Sequence, residues 1–300
     1  MDRLLPLLSF LLLALAVSHA AVPPQVYWHS VLPNTPMPSA ITDLLTSRTL
    51  GHKQKVIFGA SSIVEFKYNG AATETQRHED PNVALFFLEK DLHPGAKMTL
   101  HFTKTTSSSA FIPRTAANSI PFSSAKLPQI LNYFSIQPNS IEAEAIKKIL
   151  LDCEEPAAKG EKKYCATSLE SMVEFSTSSL GTHNVLAVST TVGKEETPKQ
   201  QYTITAGGVQ RMAGDELVAC HAETYAYAVF YCHLTKSTKA YKVKMVGNDG
   251  TSVEAVAVCH TDTAGWNPKH LAFQVLNVKP GTVPICHFMP QGQVVWIRSS

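Results

Sequence analysis

The chain predicts an α+β fold: a single disulfide-bonded domain, dominated by antiparallel strands, with two helices in its first half. Three observations carry that reading. Segments rich in β-branched and aromatic residues (Tyr225 to Tyr231, Val253 to Val258, Val283 to Ile285) cluster late in the chain instead of alternating with helices. Two runs of helical periodicity, each with a capping signal, fall between residues 139 and 181. Six cysteines, an even number, lie between residues 153 and 286.

Taken in chain order, residues 1–20 read as a signal peptide and not as fold. Arg3 precedes the apolar run LLPLLSFLLLALAV, and Ser18 and Ala20 supply the small residues of a cleavage site. A membrane span needs about 20 unbroken apolar residues. This run is shorter and contains Pro6, and no later segment is long or apolar enough. The expected mature chain begins at Ala21, is secreted and has no membrane partner. Residues 21–79 are a Pro-containing lead segment and a short polar linker. Pro23, Pro24, Pro33, Pro36 and Pro38 favour extended or turn conformations there. From 80 to 300 one domain is expected.

In that domain, Asn139 to Glu142 reads as a helix cap with an acidic partner. Ile146, Ile149 and Leu150 follow on one face, and Cys153 falls on it too. Thr167 with Glu170 has the form of a second capping box. Leu169, Met172, Val173, Ser176 and Leu180 then repeat at helical spacing until Gly181 stops the run. Secretion makes disulfides the first reading of the cysteines. A Cys153–Cys165 bridge would clip the end of one helix to the start of the next, contributing about 2–3 kcal/mol in the chain-entropy model.

The other four cysteines each precede a histidine: Cys220-His221, Cys232-His233, Cys259-His260 and Cys286-His287. Their surroundings read as strand, and Tyr241, Val243 and Met245 lead through Asn248-Asp249-Gly250 into Val253 as a β-hairpin. Successive side chains of a strand face opposite ways. An extended doublet therefore sends sulfur to one face for cross-linking and imidazole to the other. Cross-links of that kind would bring the imidazoles near one another, which a Cu or Zn site needs. With the thiols oxidised and no CxxC pair present, a zinc-finger reading has no ligands. A purely structural role for the histidines is the competing reading, and the pairing of the four doublet cysteines stays open.

Other function classes find little support. A net charge of +2 with no basic run gives no case for nucleic acid. There is no GxSxG elbow, phosphate-binding glycine loop or dinucleotide fingerprint. No Asn-x-Ser/Thr acceptor is present. Trp266 and Trp296 read as core or loop-anchoring aromatics before carbohydrate platforms.

The doublets follow the pattern CH-x10-CH-x25-CH-x25-CH, with TDTAGWNPKHLAFQVLNVKPGTVPICHF leading into the last. This closely resembles the BURP domain of plant secreted proteins. DPNVALFFLEKDLHPGAKM is similar to that domain's opening, and AFIPR, IPFSS and YCATSLESMVEF to its middle. YWHSVLPNTPMPSAI resembles the short segment that follows the signal peptide in this family. The likeness covers about residues 27–45 and 80–297. It is closest to the dehydration-responsive subfamily, although residues 46–79 lack the Gly/Val-rich repeats usual there. The resemblance implies a protein of the apoplast or cell wall, linked to development and to dehydration or salt response, with wall components or wall-associated proteins as partners. Some members are copper-dependent peptide cyclases that join a Tyr or Trp side chain to another residue of a core peptide. Carried over, the copper ligands are His221, His233, His260 and His287, and Cys220, Cys232, Cys259 and Cys286 are structural cystines. The stretch Gln25-Val26-Tyr27-Trp28-His29 is the one in-chain core candidate, and a separate peptide substrate is the other form of that alternative.

Overall fold

The computed structural model describes residues 22–46, 86–102, 110–157, 161–194 and 197–299. The leader at 1–20 and nearly all of the 46–79 linker lie outside the described residues. Helices are α1 (Pro24–Val31), α2 (Ser39–Thr46), α3 (Arg114–Ser119), α4 (Leu127–Tyr133), α5 (Ile141–Glu154), α6 (Leu169–Leu180) and α7 (Leu271–Leu276). Strands are β1 (Phe87–Leu88), β2 (Lys97–Leu100), β3 (Lys162–Ala166), β4 (Val185–Val188), β5 (Thr191–Val192), β6 (Gln200–Arg211), β7 (Glu216–Ala222), β8 (Phe230–Lys236), β9 (Thr238–Gly247), β10 (Ser252–His260), β11 (Ile285–Phe288) and β12 (Val294–Arg298). The α+β class holds: the sheets are antiparallel, and α5 and α6 are the two long helices of the first half.

The lead segment carries two helices that the prolines did not suggest, while residues 32–38, with Pro33, Pro36 and Pro38, are turn or irregular as expected. Pro24 opens α1, where its missing N–H satisfies no helical bond and its fixed φ suits the first turn. The helix exists to bury Trp28, whose indole N–H donates to the Thr35 carbonyl at 2.7 Å and whose ring sits 5.5 Å from Trp296. The caps of the long helices each lie one residue later than the sequence suggests. Asn139, at a φ of 65°, turns the chain so that Ser140 can accept the Ala143 N–H at 3.1 Å. Ser168 and Ser171 form the reciprocal box at α6, and Gly181 ends the helix at a φ of 69°. Cys153 and Cys165 are bonded, tying α5 to β3, which leads into α6.

Two antiparallel sheets pack face to face. One runs β1-β11-β10-β9-β6-β2, with β5 also beside β10; the other runs β3-β8-β7-β12-β4. The hairpin from β9 to β10 turns through Asn248-Asp249-Gly250 as expected, with Gly250 at a φ of 82°. The layer between the sheets holds Leu217, Ala219, Val295 and Ile297 from one and Ala240, Val256, Val258 and Met289 from the other. Behind the five-stranded sheet, α1, α2 and α6 cover Val218, Cys220, Phe230, Cys232 and Trp296. Behind the seven-stranded sheet, Phe288 of β11 meets both Phe87 and Phe102, the latter lying just past β2 at the opposite edge. That sheet therefore curls to enclose its own outer core, which includes Cys259 and Cys286.

One predicted strand is corrected. Tyr225 to Tyr231 is not continuous: β7 ends at Ala222, β8 starts at Phe230, and residues 223–229 form a buried turn. Tyr225, Ala226, Tyr227 and Val229 all pack with Ile130, Ile146 and Leu150 of α4 and α5. Neighbours of both parities share one side, which an extended strand does not allow.

Candidate metal centre

Both pairs of doublets are built the same way. In β7 and β8, Cys220 stands directly opposite Cys232; in β10 and β11, Cys259 stands opposite Cys286. The paired Cα atoms are 4.0 Å apart in each case, and both pairs are disulfide-bonded. No described cysteine is free. Each sulfur faces the outer core of its own sheet, so each following histidine faces the layer between the sheets. Antiparallel running then makes the histidines diagonal neighbours. His233 lies two residues beyond Tyr231, the partner of His221; His287 lies two beyond Ile285, the partner of His260.

The rings meet through the same atom. The Nε2 atoms of His221 and His233 are 3.1 Å apart, and those of His260 and His287 are 3.4 Å apart. His233 and His260 are buried, and His221 and His287 are half-buried as residues. The four are also near enough to repel one another as cations. Burial first, and then the charges of His233 and of His287 on the facing sheet, hold His221 down to about 3. Burial pushes His287 down to about 4, and burial, followed by the charges of His287, His233, His270 and His221, keeps His260 well below the ordinary imidazole value. These three rings are neutral at physiological pH.

The outer nitrogens settle the tautomers. His233 Nδ1 is 2.8 Å from a Glu161 carboxylate oxygen and His287 Nδ1 is 3.5 Å from the Phe288 carbonyl. Both oxygens can only accept, so both Nδ1 atoms carry the proton. Thr238 spends its one hydroxyl hydrogen on the Lys236 carbonyl, and so accepts from His260 Nδ1 at 3.4 Å. His221 Nδ1 donates to the Gln293 side-chain oxygen at 3.0 Å. With the proton on Nδ1, the neutral form of each ring turns an Nε2 lone pair toward the Nε2 of its pair mate. Lone pairs at these distances repel, and a cation between them removes the repulsion. For imidazole–metal bonds of about 2.0–2.1 Å at a tetrahedral angle, ligand nitrogens sit about 3.3 Å apart. Both observed gaps match that edge. Each pair therefore has the spacing of two imidazole ligands on one metal ion. Among the described residues, no three histidine, cysteine or carboxylate donors are already gathered tightly enough to enclose an ion. The fold supplies two pairs, not a closed cage.

Several neighbours escaped the sequence reading. Glu161, Gln293 and Thr238 hold outer nitrogens although none belongs to a doublet. Trp266 packs edge-on against His260 at 5.1 Å and against His270 at 5.0 Å, which confirms it as an anchoring aromatic. His270 is buried as well, but its Nδ1 accepts the Ala272 N–H at the start of α7, so its proton is on Nε2 and it is a helix cap. The core candidate at Gln25 to His29 lies within α1, with Trp28 wholly enclosed.

The family model for the BURP domain matches residues 85–298. The chain is 65% identical over 242 residues to BURP domain-containing protein 3 of Oryza sativa subsp. japonica, covering 79% of this chain and 56% of that protein. It is 52% identical over 292 residues to BURP domain-containing protein 5 of the same plant, covering 94% and 89%. It is 52% identical over 234 residues to BURP domain protein RD22 of Arabidopsis thaliana, covering 77% and 60%. The chain belongs to the BURP-domain family.

Proposed function

We propose that this chain is a secreted BURP-domain protein of the apoplast and cell wall that binds copper between its sheets through His221, His233, His260 and His287. The observation that supports this best is the repeated Nε2-to-Nε2 approach at 3.1 and 3.4 Å, with every outer nitrogen occupied as a donor. Copper is favoured over zinc by the affinity order for nitrogen sites. Bound there, copper supplies a one-electron acceptor that ordinary side chains lack. The chain's own part is to hold four imidazoles in two facing pairs and keep sulfur on the far side of each sheet. Resemblance to the dehydration-responsive subfamily supports a role in dehydration or salt response and in development, with wall components or wall-associated proteins as partners.

The alternative, a peptide macrocyclase cross-linking Tyr or Trp, loses support in its self-modifying form. A Trp28 ring that is fully buried and packed on Trp296 is a core residue, not an exposed substrate. Incubating the purified protein with copper and dioxygen should leave its mass unchanged. A loss of two hydrogens within residues 25–29 would instead make it a self-cyclising enzyme. Metal analysis after dialysis tests the site. The natural protein should retain copper, and a variant with all four doublet histidines changed to Ala should lose it. Equal copper in both would remove the site.

A further inference from the structure

The two histidine pairs are not equally supported on their outer side. In the first, His233 meets a carboxylate at 2.8 Å and His221 meets a side-chain amide oxygen at 3.0 Å. In the second, the outer contacts are a hydroxyl at 3.4 Å and a neighbouring main-chain carbonyl at 3.5 Å. The first two are within good hydrogen-bonding distance, and one of them is charge-assisted; the second two are at its outer limit.

The fold places both supports deliberately close. Val294 of β12 pairs with Cys220, so Gln293, one residue earlier, comes level with His221, and it is only 3% exposed. Lys163 of β3 pairs with His233, and Glu161 lies just before that strand. Glu161 is also inside the loop closed by Cys153–Cys165, which restricts where its backbone can go. Its side chain is 20% exposed, and that of His233 is 5% exposed. A carboxylate hydrogen-bonded to a ligand imidazole fixes the ring and makes its free nitrogen a better donor. It also places a carboxylate 2.8 Å from one imidazole of a cluster whose other outer contacts are an amide oxygen, a hydroxyl and a main-chain carbonyl.

We infer that Glu161, assisted by Gln293, is a positioning residue that makes the His221–His233 pair the tighter half of the site, the half that captures the metal first. The inference rests on the copper reading above and concerns which half dominates it. The third cystine thereby acquires a role beyond stapling: it holds the segment that carries the acid.

The test is titration with Cu²⁺ alone against a competing chelator, read by affinity and by the electron paramagnetic resonance spectrum, on the natural protein and on Glu161→Ala, Glu161→Gln and Thr238→Val. Glu161→Ala should weaken binding by about 10–100-fold, the usual cost of losing an outer-sphere partner, and should change the spectrum. Glu161→Gln, which keeps an acceptor but removes the charge, should fall between. Thr238→Val should stay within a few-fold of the natural protein. If Glu161→Ala does not fold by circular dichroism, Glu161→Gln carries the test, because it preserves shape and acceptor. Natural affinity and spectrum in the Glu161 variants, or an equal loss in Thr238→Val, would overturn the inference while leaving the copper site intact. No uptake by the natural protein would overturn both.

Discussion

The His221–His233 and His260–His287 pairs are one device used twice in different surroundings. Each is a cross-strand cystine with its imidazoles displaced diagonally onto the opposite face. The first lies on a sheet backed by helices, with Trp28 and Trp296 in its outer core. Its rings neighbour polar partners, and Tyr231 is 5.7 Å from His233 with the Lys163 amine over the tyrosine ring. The second lies on a sheet that curls to back itself, and its rings lie against aromatic ones: Trp266 beside His260, and Phe86 6.4 Å from His287. The shared part is set by strand alternation and needs only the doublet. The difference comes from the neighbouring elements, and it gives two halves of unequal polarity.

Substitutions that separate the two backings should have the largest effects. Trp28→Ala empties the helix-backed core and should cost about 3–5 kcal/mol. Hydrogen exchange should quicken in β7 and β8 well before β10 and β11; equal acceleration in both sheets would show that the backings are not independent. Removal of a doublet cystine comes next, at about 2–5 kcal/mol each. The Cys259–Cys286 separation is 27 residues and that of Cys220–Cys232 is 12. On chain entropy alone the longer loop should cost about 0.7 kcal/mol more. Denaturant midpoints of the paired Cys→Ala variants check this, and the reverse order would mean that packing under the helices outweighs loop closure.

A smaller effect belongs to the self-backed sheet alone. Burial raises the Glu89 carboxyl, but hydrogen bonds from Lys239 and Tyr241 outweigh it and hold the group below its ordinary value. Lys239 is the ladder partner of Cys259, so this contact ties the segment after β1 to β9. A depressed carboxyl stabilises the fold above its unfolded value and loses that contribution as pH falls through the lower folded one. Stability measured from pH 6 down to 3 should therefore decline less in Glu89→Gln than in the natural protein, by under about 1 kcal/mol for so open a pair. Parallel curves would assign Glu89 no such role.

What the sequence made legible was local. The doublets announced the division of sulfur from imidazole because a strand's period is two, and Cys153 announced its partner because both ends of the bridge lie near helix boundaries. The hairpin through Gly250 was equally plain. The helix at Pro24–Val31 was hidden because prolines dominate its flanks, while its cause, a place for Trp28 against Trp296, lies far away in the chain. Tyr225 and Tyr227 looked like strand residues because their aromatic character is the same whether they line a sheet or fill a buried turn. Glu161 and Gln293 carried no signal of their own. Each becomes meaningful only once β3 is known to pair with β8 and β12 with β7, and pairing between distant strands is not written in local pattern.

X-ray absorption at the copper edge of the loaded protein tests the separation of sulfur from imidazole most directly. The account predicts a first shell of nitrogen at about 2.0 Å with the multiple-scattering signature of imidazole, and no sulfur. A sulfur scatterer at about 2.3 Å would mean that the metal reaches the cysteines, and would contradict the placement of disulfide sulfur and ring on opposite faces.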